Sequence, residues 1–321
     1  MNPARREFLR TLAKGSAVGA TVAAVSAIDR PFRPFAPLLA APASARYSTS
    51  TDPFAMDRRL KAISSAVPSG TAQAKVSWIF NRLNRYASGG VKVHSMTGKP
   101  PRTAAEALAK GGDCTDLTNI VVSLFKQHNI PGGVMLVHFD SAPAYLDHVV
   151  PYALLGGKKI IVDLQTNTLG KTAQGAYKKL MDLSYAEGAG MYHREMGDFF
   201  KQKGDSKVAF SAYKRSVELN DKDPHVHQNL GILYQKANDH ANALKHIRRA
   251  AALDPAYKKH LPGAIFNSGL QEGQKAYGEG RFADCARHFE MALDSGHPIP
   301  ASYRKALQGN IQLCKSKAAG N

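Results

Sequence analysis

Cysteine, tryptophan and acidic side chains are scarce in this chain, and long apolar runs are missing. Three cysteines in 321 residues, with no CxxC pair, exclude the common cysteine-ligated zinc sites. Asp and Glu number 25 against 43 Lys and Arg, and no acidic cluster has calcium-loop spacing. The apolar run from Ser16 to Ile28, bounded by Lys14 and Asp29, is shorter than the ~20 residues a membrane-spanning helix needs. The single tryptophan, Trp78, sits beside Val76, Ile79, Phe80 and Leu83 in a helical pattern over residues 71–86, which reads as core.

What is present fits a globular protein: 44% hydrophobic residues and a length suited to two domains plus a leader. The net charge of +18 is spread along the chain, and Lys and Arg form only short doublets such as Lys158-Lys159 and Arg248-Arg249. That pattern fits solvated faces and not a phosphate-binding stripe, which disfavours nucleic acid. Association with anionic envelope polymers or lipid stays open.

Arg5-Arg6-Glu7-Phe8-Leu9-Arg10 ahead of the mildly apolar run resembles a bacterial twin-arginine signal. The resemblance implies export to the periplasm, with cleavage after Ala27 or Ala45. An oxidising compartment permits disulfides, and an odd cysteine count leaves one thiol over. Cys285 and Cys314 fall on successive predicted helices and make the expected pair, leaving Cys114 free.

Cys114 lies in "GGDCTDL" (111–117), where Asp113 is a good N-cap and Leu117, Ile120, Val121, Leu124 and Phe125 make an amphipathic stripe closed by Asn129, Pro131, Gly132 and Gly133. The thiol is therefore expected in a first helical turn, where the helix dipole favours an anion and Asp113 and Asp116 oppose it. Three strand patterns follow, 134–139, 145–154 and 159–164, with Gly156-Gly157 between the last two. A hairpin loop over 154–157, or a tighter one at 155–156, sets His148 directly opposite Asp163 on one face. Thiol, imidazole and carboxylate are the three groups that nucleophilic cysteine catalysis requires, and a paired imidazolium makes a thiolate at pH 7 plausible. Cys114, His148 and Asp163 are the candidate catalytic residues, with His138 the alternative base. Pro151 suggests an edge strand or bulge.

Gly112-Asp113-Cys114, Asn129-Ile130-Pro131-Gly132, His148-Val149 and Val162-Asp163 with Thr166 resemble the transglutaminase-like cysteine peptidase superfamily across residues 71–166. The resemblance implies a papain-type core with Cys114 as nucleophile, His148 as base and then acid, and Asp163 as orienter. It implies neither metal nor cofactor. The Cys114 N–H is one oxyanion donor; the second is unassigned. Superfamily members hydrolyse amides through a thioester or pass the acyl group to an amine, and both outcomes stay open. A cell-wall peptidase of the NlpC/P60 type fits Val162-Asp163 less well.

The second half carries an internal period. Gly197 recurs as Gly231, Ala209 as Ala243, Ser216 as Ala250 and Leu219 as Leu253, each 34 residues on, the tetratricopeptide spacing. A third copy follows an eight-residue insertion, with Gly273, Gly280, Phe282, Phe289 and Ala292 in place and Cys285 in the small-residue slot. A last helical stretch, 302–317, reads as a cap. His225 and His227 are two apart, so they share no helix face and read as groove or surface histidines.

The expected fold class is α+β: a papain-like, transglutaminase-like core of helix plus antiparallel sheet, then an all-α tetratricopeptide superhelical domain. The expected boundaries are 1–45, 46–188 and 189–321, with 186–190 as linker. The expected function is exported cysteine hydrolysis of peptide or protein amides, with the repeats recruiting a protein partner or substrate. A transglutaminase-type acyltransferase and a non-catalytic peptide-binding scaffold are the alternatives.

Overall fold

The computed structural model describes residues 47–84, 90–92, 98–139, 147–170 and 177–319, with the backbone alone at 138–139, 147 and 177–180. The proposed leader, 1–45, lies outside them. The described residues fall into two compact units that divide after Asp221.

The first unit opens with helices α1 (Arg58–Ser65), α2 (Ala72–Leu83), α3 (Ala104–Lys110) and α4 (Cys114–Gln127). Each starts where a side chain satisfies orphan backbone N–H groups: Asp57, Thr71, Thr103 and Asp113 are N-caps, and Thr103 with Glu106 completes a capping box. Such caps contribute about 1 kcal/mol each. Helix α4 is buried from Thr115 through Phe125, more completely than an amphipathic stripe implies. Its polar residues are satisfied internally: Ser123 Oγ donates to Phe54 O, and Asn119 Nδ2 to Arg102 O. Leu117, Ile120, Val121, Leu124 and Phe125 join Val76, Ile79 and Leu83 in the main core, with Trp78 part-buried against it.

The sheet is antiparallel with five strands, β1 (Gly132–Phe139), β2 (Asp147–Leu155), β3 (Lys158–Asp163), β4 (Thr168–Gly170) and β5 (Tyr177–Leu183), in the order β4-β3-β2-β1-β5. The β2–β3 turn is Gly156-Gly157, both at positive φ, as a two-residue hairpin of the type I′ class requires. Leu155 then faces Lys158 and Tyr152 faces Ile161. This register corrects the expected one by two residues: Asp163 falls diagonal to His148, not opposite. A two-residue shift preserves the face, because side chains alternate with period 2. Pro151 lies within a central strand, not at an edge; the ladder to β3 runs only to Tyr152, the residue after the proline that lacks an N–H.

Helices α5 (Tyr185–Gln202) and α6 (Ser206–Leu219) complete this unit. Residues 186–190, expected as a linker, are the opening turns of α5; Ala189 and Met191 pack with Val134, Val149 and Leu183. Gly188 permits this approach, since a Cβ there would stand 2.8 Å from Val134 Cγ2. The compact unit thus extends to Asp221, past the expected boundary at 188.

The second unit holds α7 (Pro224–Lys236), α8 (His240–Leu253), a 3-10 turn (Pro255–His260), α9 (Leu261–Gly278), α10 (Phe282–Leu293) and α11 (Ala301–Ala319). One device recurs at each helix pair of the repeat pattern. A Cβ on Gly197 would meet Tyr213 at 2.5 Å, on Gly231 Ile247 at 2.6 Å, and on Gly273 Phe289 at 2.6 Å. The periodic glycines therefore mark where one helix receives a large side chain of the next. Cys285 and Cys314, both fully buried, form a disulfide between α10 and α11 with Cα atoms 6.0 Å apart. No described helix is long and apolar enough to cross a membrane.

Candidate functional site

Cys114 is the first residue of α4, capped by Asp113, whose carboxylate accepts the Asp116 N–H. Thr118 Oγ1, one turn on, donates to Val149 O at 3.1 Å. That bond ties the start of α4 to β2 and brings the thiol against the Val149 N–H and the Thr115 hydroxyl. His148, next to Val149, is 2% exposed and donates Nε2–H to Asp163 Oδ2 at 2.7 Å. Asp163 is itself held tightly. Its Oδ1 accepts the N–H groups of Gln165 and Thr166 at 2.8 and 3.1 Å, and its Oδ2 accepts Thr166 Oγ1 at 2.7 Å.

The sheet faces separate these groups in part. Strand alternation puts His148 with Val150, and Asp163 with Ile161, whereas Cys114 packs in the cluster of Val149, Val134 and Leu136. The two sides meet at the end of β3, where Cys114 and Asp163 line one small cavity with Leu117, Val149, Pro151 and Gln165. The sequence-based pairing of His148 with Asp163 is thus present as a side-chain contact, and Asp163 borders the space beside the thiol. Of the alternative base His138 only the backbone, on β1, is described.

Electrostatics runs against one expectation. Burial pushes the Cys114 thiol up to about 12, and the Glu195 and Asp113 carboxylates push the same way, outweighing the Val149 and Thr115 hydrogen bonds. In this arrangement the thiol rests protonated, not as a thiolate. Asp116 is fully buried; burial raises it to about 7, although its Oδ1 accepts the Arg102 N–H at 2.7 Å. Glu195, on α5, accepts a hydrogen bond from Thr115 Oγ1 and is raised to about 8 by burial and by Asp113. Sequence reasoning missed Glu195 because 80 residues of chain separate it from Thr115. No local pattern signals such a contact.

The histidines of the second unit also differ from expectation. His227 is 3% exposed, not at a surface, and shares an Nδ1 to Nδ1 hydrogen bond of 3.0 Å with His246 on α8. Tyr234 stacks on His246 at 5.4 Å. His225 pairs with Asn229 on its own helix face. Among the described residues, no group of three His, Cys, Asp or Glu side chains is arranged to hold a metal.

The tetratricopeptide repeat model matches residues 224–257, which span α7, α8 and the start of the 3-10 turn. Among solved structures, the chain is similar to the first tetratricopeptide domain of Spaghetti (RPAP3) bound to the HSP90 peptide SRMEEVD, at 16% identity and TM-score 0.24, covering 39% of this chain and 93% of that one. It is similar as well to the first such domain of human RPAP3, at 17% identity and TM-score 0.25, covering 41% and 97%. No curated protein sequence matches.

Proposed function

We propose that the protein couples a Cys114-dependent amide-hydrolysing site in its first unit to a peptide- or protein-binding tetratricopeptide unit. The observation that carries this reading is the buried His148–Asp163 pair, whose carboxylate lines the same cavity as the Cys114 thiol. In the proposed reaction the Cys114 sulfur attacks the amide carbonyl carbon as its proton passes to His148 Nδ1. The same imidazolium returns that proton to the departing amine, leaving a thioester that water hydrolyses. Asp163, fixed by Gln165 and Thr166, sets the His148 tautomer. The high thiol pKa requires that proton transfer accompany attack, since little thiolate stands ready. The papain-like, transglutaminase-like description of the core belongs to this reading, and an amine acceptor in place of water would make the protein an acyltransferase.

The tetratricopeptide repeat at 224–257 supports engagement of a peptide or protein partner by the second unit. Export by the twin-arginine route to the periplasm is part of the proposal; Arg5-Arg6 and the Cys285–Cys314 disulfide support it, the latter because such bonds persist in oxidising compartments. A non-catalytic scaffold is the second reading, favoured by a thiol kept protonated amid carboxylates. The deciding experiment is Cys114→Ala assayed for cleavage of peptide amides, with labelled primary amine added to detect acyl transfer. Loss of turnover with the fold intact supports hydrolysis. Full retained turnover in the variant, or none in the wild type, refutes it.

A further inference from the structure

Among the described residues lining the cavity beside Cys114, Gln165 carries a polar atom whose bonding is incomplete. The Gln165 Oε1 is buried with no hydrogen-bond partner. The neighbouring polar side chains are already engaged: Thr118 donates to Val149 O, and the Asp163 oxygens accept from His148, Gln165 N and Thr166. Gln165 is not loose either. Its backbone N–H is pinned to Asp163, Thr166 Oγ1 meets Thr168 Oγ1 at 2.9 Å, and Asn167, at φ +61, bonds to Asn84 on the residue after α2. A buried carbonyl oxygen without a donor is costly to keep. A fixed turn that carries such an acceptor on a residue lining a cavity beside a nucleophile has an unmet need for an N–H there.

We infer that Gln165 is a substrate-recognising residue, its side-chain oxygen accepting the N–H of an amide seated beside Cys114. The ligand class is a neutral secondary amide, as in a peptide bond; an ester or carboxylate offers no donor at that position. The inference rests on the proposed reading in taking amides as the substrate class, and its test does not require turnover.

The test compares alkylation of Cys114 at pH 9 by N-methyl iodoacetamide and by methyl iodoacetate, which are near in shape and differ in the N–H. Rates are normalised to those of N-acetylcysteine. The wild type should favour the amide reagent about three- to tenfold beyond the free thiol, the effect of one hydrogen bond. Gln165→Leu should abolish the preference while the thermal midpoint holds or rises, since an unsatisfied acceptor is removed. Gln165→Glu, which keeps an acceptor oxygen, should retain it. A wild-type ratio equal to that of N-acetylcysteine, or an unchanged ratio in Gln165→Leu, overturns the inference. A wild type that shows the preference yet cleaves no peptide amide overturns the hydrolase reading and leaves the Gln165 assignment standing.

Discussion

The titration of Cys114 is where the structure makes its least expected demand. The first turn of a helix ordinarily lowers a thiol's pKa, yet burial, with Glu195 and Asp113 adding to it, pushes this one up to about 12. At pH 9 a thiol of that pKa is ionised in about one molecule in a thousand, whereas a free cysteine near 8.5 is mostly thiolate. Alkylation at pH 9 should therefore run several hundredfold slower than in a solvent-exposed peptide thiol. Glu195→Gln isolates the electrostatic part, because the amide oxygen still accepts from Thr115 while the charge is gone. Glu195 ionises near 8, so above that pH the wild-type thiol faces a carboxylate and the variant does not. The variant's midpoint should fall by about one unit, the scale of one partly screened charge at close range, and remain well above 8.5 because desolvation persists. The assay is the iodoacetamide rate against pH, read by mass spectrometry at Cys114. A wild-type midpoint at or below 8.5 would refute the desolvated, acid-flanked site and reinstate an activated thiolate.

Three further outcomes follow from the packing and the charges. Reducing the Cys285–Cys314 bond, which closes 29 residues of sequence, should destabilise the second unit by about 3 to 4 kcal/mol in the chain-entropy treatment, seen as a lowered denaturation midpoint in dithiothreitol. Gly231→Ala should cost about 1 to 3 kcal/mol by overpacking against Ile247, whereas Gly278→Ala, where a Cβ meets nothing within 4 Å, should leave urea unfolding of that unit unharmed. Asp116 and Glu195, raised to about 7 and 8 by burial, hold protons in the folded state that the unfolded chain releases near pH 4. Their stabilisation is complete below that pH and is lost as pH rises through 7 and 8, so the first unit should melt lower at pH 9 than at pH 5. Glu195→Gln should flatten that slope, and a stability that rises from pH 5 to 9 would contradict the cluster.

The elements that depend on neighbours a few residues away were legible without a structure. The Asp113 cap and its apolar stripe predict α4 to within a turn, and the alternation after Pro131 predicts β1 to β3. The 34-residue period finds the repeat because helix packing demands a small residue at the same step each time, which the glycine contacts at 197, 231 and 273 make physical. The His148–Asp163 contact survived an error in register, since a two-residue slip preserves the face.

Other features depend on contacts that only the folded chain brings about. Residues 186–190 look like a linker because they are small, and they are small so that α5 can lie against β1. Asp116 looks like a surface acid in a first turn until α3 and Arg102 cover it. Glu195 meets Thr115 across 80 residues, and Gln165 reaches the Cys114 cavity because a Gly-Gly turn and a proline end the β2–β3 ladder where they do. Local periodicity and capping chemistry thus determined which segments are helix, strand and repeat, because those choices are made within a turn or a hairpin. The protonation of the thiol, the company it keeps and the extent of the first unit were decided by tertiary burial, which sums over residues far apart in the chain.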